Sequence, residues 1–363
     1  MAVRTEVSVE RVDVAAYEIP TDEPETDGTA AWDATTIVLV EAHAGGETGL
    51  GYTYAPAAAA SVVEAQLAGL AAGADALAPQ AAWRELGAAL RNAGRPGIGF
   101  CALSAVDIAL WDLKARLLGV ALADLIGRAH DAVPVYGSGG FCSYSLDRLR
   151  EQLGGWVADG IPRVKMKLGR EPEADPKRLD AARDAIGDDT ELFVDANGAF
   201  QVKEALAWAD RYASEWGVTW FEEPVSSADL DGLRLVRERA PLEVAAGEYA
   251  YVARDFVNLL GAVDCLQADV TRCGGITGVL AAGGLAQAHA LDLSAHCAPA
   301  ISAHVFCGVA RLRHLEYFHD HVRVERLLFD GVLDPDQGAL RPDASRPGLG
   351  LELRRADAER WAL

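Results

Sequence analysis

The sequence predicts an α/β barrel preceded by a separate α+β domain, and three observations carry that reading. After Pro134, short apolar runs recur about every 20 to 30 residues, as repeated strand–helix units do. Amphipathic helical stretches separate them. Almost every run ends in an ionisable residue, whereas a strand that only builds a core would end in loop residues of mixed type.

The runs are Val133–Tyr136, Val164–Leu168, Leu192–Asp195, Trp220–Glu222, Val244–Gly247, Cys265–Asp269, Leu293–His296 and His314–Glu316. Eight such units close a barrel of roughly 200 residues, near the lower end for that fold. Ahead of them, Val7 to Ala16 alternates as a strand does. Pro20 to Asp33 is polar and rich in proline and acids, and predicts a loop. Thr35–Glu41 followed by Gly45-Gly46-Glu47-Thr48-Gly49 predicts an antiparallel meander with a hairpin turn. From Ala57 to Ile126 the pattern is helical, most clearly over Ser104–Ala115. Strands followed by helices predict an α+β domain over 1–126. The barrel then spans 127–325. Residues 326–363, with Phe329-Asp330-Gly331 and a proline-rich tail, are expected to fold back onto the first domain.

Half of the 363 residues are apolar, enough for a large core. No apolar run reaches the roughly 20 residues that span a bilayer. Met1 to Glu10 is charged and lacks the apolar core of a signal peptide. These features predict a soluble cytoplasmic protein. The formal net charge is −21 with no basic run, which argues against nucleic acid and anionic membranes as partners. An anionic substrate would need a local cationic site. The six cysteines form no C-x-x-C pair and read as reduced thiols.

In such a barrel the active site lies at the C-terminal ends of the strands. The residues found there are Lys165 and Lys167, Asp195 with Asn197, Glu222, Glu248, Asp269, His296 and Glu316. Asp195, Glu222 and Glu248 end three successive strands. Three carboxylates on neighbouring strands repel one another, and a hard divalent cation such as magnesium removes that penalty. The alternative makes each acid a helix cap or a surface charge. Lys165 and Lys167, at i and i+2 on one strand, point to the same side. Two ammonium groups held together lower each other's pKa, which favours one of them as a base. Asp269 can orient the His296 ring by a hydrogen bond to one nitrogen and raise the basicity of the other. Glu316, if protonated, can donate a hydrogen bond to a substrate carboxylate. His289, His304, His319 and His321 read as structural. Gly274-Gly275 and Gly278 match a phosphate loop poorly and fit a tight strand-to-helix turn.

Together these motifs resemble the enolase superfamily and, within it, the mandelate racemase subgroup. Lys165-Met166-Lys167, Asp195-Ala196-Asn197-Gly198, Phe221-Glu222-Glu223-Pro224, Gly247-Glu248, Asp269 with Gly274-Gly275-Ile276-Thr277-Gly278, and Ser294-Ala295-His296 carry the resemblance, with the helix Ser104–Ala115 before the barrel. It implies a modified TIM barrel, (β/α)7β, capped by an N-terminal α+β domain whose segments Pro20–Asp33 and Gly51–Pro56 cover the site. It implies one Mg2+ on Asp195, Glu222 and Glu248, Lys167 as one base and the Asp269–His296 dyad as the other. Lys165 and Glu316 would stabilise the enediolate, and Asn197, Lys165 and Glu316 would bind substrate. Subgroups with a lysine base on the sixth strand are set aside, because Asp269 stands there with Arg272 three residues on. The expected chemistry is removal of the proton α to a carboxylate. Dehydration of a sugar acid to a 2-keto-3-deoxy acid is the leading outcome. Racemisation of a 2-hydroxy acid and non-catalytic sugar-acid binding are the alternatives. Relatives of this kind assemble as dimers or octamers, so a homo-oligomer is expected.

Overall fold

The computed structural model describes residues 7–363. Of the charged N-terminal decapeptide, Met1–Glu6 lie outside the described residues. Strands β1 (Arg11–Thr26), β2 (Ala31–Ala44) and β3 (Glu47–Tyr54) form an antiparallel sheet in that order. Gly45 and Gly46 both take positive φ, 58° and 82°, so a two-residue turn can follow the twist of its strands. The expected loop over Pro20–Asp33 is mostly strand. Only residues 27–30 lie outside β1 and β2, and the register is irregular between Pro20 and Glu25. The composition misleads because β1 is an edge strand, where proline and acids are tolerated.

The helix Ile98–Leu118 lies directly on this sheet. A Cβ on Gly49 or Gly51 would stand 2.2 Å from Ala109 O or Ala105 O, so only glycine permits that approach.

Eight parallel strands form the barrel: β4 (Val133–Gly139), β5 (Arg163–Lys167), β6 (Glu191–Asp195), β7 (Val218–Glu222), β8 (Glu243–Ala246), β9 (Cys265–Ala268), β10 (Asp292–Ala295) and β11 (Leu312–Phe318). They pair in chain order, and β11 closes on β4. Each overlaps one of the apolar runs. Val164, Met166 and Leu168 point outward into the core under the surrounding helices, so Lys165 and Lys167 point inward. Below the lysines the interior is filled by Tyr136, Phe193, Trp220 and His314. The His314 ring lies 4.7, 5.4 and 4.9 Å from the other three. Burial holds its imidazole well below the usual range, so it is neutral.

Cap and barrel are joined through polar side chains of the helix Ile98–Leu118. Ser104 Oγ accepts from Gly274 N (2.9 Å) and Gly275 N (3.0 Å). Asp107 accepts from Thr277 N (2.9 Å) and Thr277 Oγ1 (2.7 Å). The glycine turn after β9 therefore spends its amide groups on the cap, as a structural turn and not a phosphate cradle. Asp112 receives Leu50 N at 2.7 Å and Leu349 N at 2.5 Å, tying β3 and the C-terminal tail to the same helix. The tail also adds the short strand Ala339–Leu340 to β4 and ends with Leu363 N donating to Ala16 O. All six cysteines are free. Among the described residues, no helix is long and apolar enough to cross a membrane.

Candidate active site

Parallel pairing sets Lys167, Asp195 and Glu222 side by side at the ends of β5, β6 and β7. Glu248 follows β8 by two residues, while Asp269 and His296 directly follow β9 and β10. Glu316 lies inside β11. All seven sequence-selected ionisable groups on these elements, and Lys165 with them, are buried. Lys165 Nζ sits 2.7 Å from Glu222 Oε2, 2.8 Å from Glu316 Oε1 and 3.4 Å from Asp195 Oδ2. Lys167 Nζ is 2.5 Å from Asp195 Oδ2. His296 Nε2 is 2.9 Å from Glu248 Oε2 and 3.4 Å from Glu316 Oε2. Its Nδ1 is 2.8 Å from Asp269 Oδ2, and Asp269 Oδ1 accepts from Thr271 N and Oγ1, both at 2.7 Å. A continuous chain of alternating charge thus crosses the barrel mouth.

The electrostatics follow from burial set against these partners. Burial works against the Lys167 ammonium, yet Asp195 outweighs both burial and Lys165 and holds its pKa above the usual lysine range. Lys165 is likewise held well above it, against burial, by Glu222 and Glu316. The expected mutual lowering of the lysine pair is therefore reversed in net sign, because two ammonium groups share three carboxylates. Burial alone would raise Glu316, but Lys165 and His296 hold it well below the carboxylate range. Glu316 Oε1 accepts from Ser138 Oγ at 2.6 Å and faces Lys165 Nζ at 2.8 Å, so the condition for its donor role, a protonated carboxyl, is not favoured in this arrangement. Burial and the nearby Asp195 push Glu222 up to about 7. His296 is held well above the usual imidazole range: the Cys297 sulfur and the Glu248 and Glu316 carboxylates overcome its burial.

The donor set suits a hard divalent cation. Oxygens of Glu222 and Glu248 lie within 4.8 Å of one another, with the His296 nitrogen beside them; among the described residues Asp195, the third acid expected on the ion, is not part of that group. Asp195 is joined to Glu222 through the shared Lys165 ammonium. Glu222 Oε1, Glu223 Oε1 and Asn197 Oδ1 are buried without a hydrogen-bond partner. Orphaned oxygens among concentrated carboxylates are what an oxygen-seeking ion satisfies.

A cavity of about 460 Å³ opens onto this cluster between cap and barrel. Its lining includes Lys167, Asn197, Glu248, His296 and Glu316 from the barrel and residues from 27–36 and 54–56 of the cap. The cap turn sits on the barrel rim. A Cβ on Gly28 would stand 2.3 Å from Ala196 O, and Thr29 Oγ1 donates to Asn197 O at 3.2 Å.

Several wall residues escaped the sequence reading. Arg272 lies 3.4 Å from Asp269 and 3.6 Å from Glu248, with its guanidinium over the Tyr249 ring. His321, read as structural, lines the cavity stacked on Tyr54 at 3.5 Å. Burial pushes its pKa down to about 3. Cys297 lines the cavity at a positive φ of 53°, and Glu223 is buried beside Glu222 at φ 37°. The Glu222-Glu223 doublet was the only one of these with a visible sequence signal.

Residues 11–127 match the family described as mandelate racemase / muconate lactonizing enzyme, N-terminal domain, and residues 148–358 match the enolase C-terminal domain-like family. The chain is a member of the enolase superfamily, in its mandelate racemase subgroup, and an enzyme of that superfamily. It is 34% identical over 95% of its length, and 97% of the relative's, to a 3,6-anhydro-α-L-galactonate cycloisomerase of Streptomyces coelicolor. A crystal structure of a mandelate racemase/muconate lactonizing enzyme-like protein from Rubrobacter xylanophilus is similar with a TM-score of 0.97 at 62% identity, covering 98% of this chain and all of that one. The L-talarate/galactarate dehydratase of Salmonella typhimurium LT2, liganded with Mg and L-lyxarohydroxamate, is similar with a TM-score of 0.91 at 29% identity. That match covers all of this chain and 95% of the dehydratase.

Proposed function

We propose that the protein removes the proton α to the carboxylate of a sugar acid and expels an oxygen from the β-carbon, giving a 2-keto-3-deoxy acid. The observation that carries this is the pairing of two separate proton carriers with one carboxylate cluster. Lys167 on β5 and the Asp269–His296 dyad after β9 and β10 both border Asp195, Glu222 and Glu248. Binding alone would need neither carrier.

Asp195, Glu222 and Glu248 are assigned to Mg2+, which the similar dehydratase also carries. When bound, it supplies positive charge where the enediolate's negative charge develops. Lys165 adds a second, fully buried positive charge, fixed by Glu316 at 2.8 Å. Lys167 takes the α-proton. The Asp195 carboxylate that keeps it charged is one assigned to the ion, so engagement of Asp195 weakens that hold. His296, oriented by Asp269, delivers a proton to the departing oxygen. Asn197 presents an unpartnered Oδ1 to substrate. Dehydration and ring-opening isomerisation share these steps; they differ in whether the leaving oxygen belongs to a hydroxyl or to a ring.

The test is incubation with Mg2+ in D2O and a panel of sugar acids. A 2-keto-3-deoxy product is expected. Deuterium at the α-carbon with no loss of oxygen would make the enzyme a racemase or epimerase instead. Binding with neither exchange nor product would sink the catalytic reading.

A further inference from the structure

The cations of the cavity are distributed on one side only. Among the described residues that line it, the basic groups all belong to the barrel: His321, against Tyr54 at the cap end, is a neutral imidazole because burial pushes it down to about 3, and the others are Lys167, Arg272 and His296. Each of these three is already matched to protein carboxylates: Lys167 to Asp195, Arg272 to Asp269 and Glu248, His296 to Asp269 and Glu248. The cap side supplies no lysine or arginine. It offers Trp32, Ala34, Tyr54 and Pro56, hydroxyls of Thr35 and Thr36, and one further carboxylate, Asp27. Thr35 Oγ1 is spent on Asp320, and Trp32 Nε1 on Glu25 at 2.7 Å. The barrel's Phe318 adds another aromatic face to this end.

An ionised group placed there would lose water without gaining a counter-charge, and Asp27 would repel it. Carbon-bound hydrogens of a sugar chain or ring lose nothing against the faces of Trp32, Tyr54 and Phe318. We propose that the substrate of this site carries a single carboxylate, held at the barrel end, and an uncharged distal end seated against the cap aromatics. The class is aldonic acids and their anhydro or lactone forms, and aldaric acids with carboxylates at both ends are excluded. The inference rests on the sugar-acid reading above and narrows it.

The experiment is a matched comparison on the Mg2+-loaded protein. Pairs such as galactonate and galactarate, or gluconate and glucarate, differ only in whether the far carbon is a primary alcohol or a carboxylate. Affinity is read by calorimetry for an acid that is bound without turnover, and as its KM or inhibition constant for one that is turned over. The best-bound monocarboxylate is expected to bind at least about ten-fold more tightly than its dicarboxylate partner. Ala34→Arg, which adds a cation to the cap wall, should shrink or invert that ratio. The wild-type pairs decide the matter even if that variant does not fold. Equal or tighter binding of the dicarboxylates, or binding of neither class, overturns the proposal. Failure of the parent reading looks different: the monocarboxylate preference stands while no α-proton is exchanged.

Discussion

His296 is held between two carboxylates, with Nδ1 2.8 Å from Asp269 and Nε2 2.9 Å from Glu248. One partner fixes the ring and the other occupies the nitrogen that must reach substrate. Asp269→Asn replaces the acceptor at Nδ1 with an amide that can donate, which favours the wrong tautomer. Proton exchange on the histidine face should fall by roughly 10²–10⁴-fold, the usual worth of a positioned acid–base group. Exchange on the lysine face should survive. Stereospecific deuterium incorporation reads both, and equal loss on both faces would contradict the two-carrier scheme.

Lys165 is enclosed by Glu222, Glu316 and Asp195 with no exposure. Lys165→Met keeps the stem and removes the charge. In the absence of divalent ions the unfolding free energy should drop by about 3–5 kcal/mol, as for other broken buried pairs. Mg2+ should recover part of that loss, because it neutralises the same acids. Chemical denaturation with and without Mg2+ measures both effects, and a variant as stable as wild type without the ion would refute the argument.

Gly28 brings the cap turn onto the barrel rim, where any Cβ would meet Ala196 O at 2.3 Å and Leu168 O at 2.8 Å. Gly28→Ala must lift that turn. We expect KM to rise about ten-fold or more with a smaller change in kcat, since a cap wall moves while the proton carriers stay in place. Steady-state kinetics would test it; a loss confined to kcat would speak against it.

Glu325 is buried at the cap–barrel junction, accepting from Tyr52 OH at 2.6 Å and Ala300 N at 3.1 Å. Burial raises its pKa from 4.5 to about 8. The folded state therefore holds this proton more tightly than the unfolded chain. That contribution is complete below pH 4.5 and is lost as pH rises toward 8, at no more than about 1.4 kcal/mol per pH unit. Glu325→Gln cannot titrate, and its amide can still satisfy Ala300 and a reoriented Tyr52 hydroxyl. The pH dependence of unfolding between 5 and 8 should be shallower in this variant by about that slope.

The barrel was legible because buried parallel strands are short apolar runs, and their ends carry residues such as Asp195, Glu222 and His296 that no core needs. Register brings the final residues Lys167, Asp195 and Glu222 level on β5, β6 and β7. The cap was less legible. Pro20–Asp33 has a loop's composition but an edge strand's position, and one sequence does not say which strand lies at an edge. Arg272, His321 and Tyr54 were invisible as wall residues because they meet only after cap and barrel dock. The charge state of Glu316 was left open by the sequence because it depends on Lys165, which approaches it from a strand about 150 residues away in sequence.

The packed rings of Tyr136, Phe193, Trp220 and His314 make the barrel blind-ended beneath the carboxylates. Among the described residues, the cavity that reaches these acids opens between cap and barrel. An ion and a substrate would use that same passage, so a molecule seated in it would stand over the acids below. We expect the ion to be loaded ahead of the substrate, since the cavity of about 460 Å³ that reaches the acids is the one the substrate itself would fill.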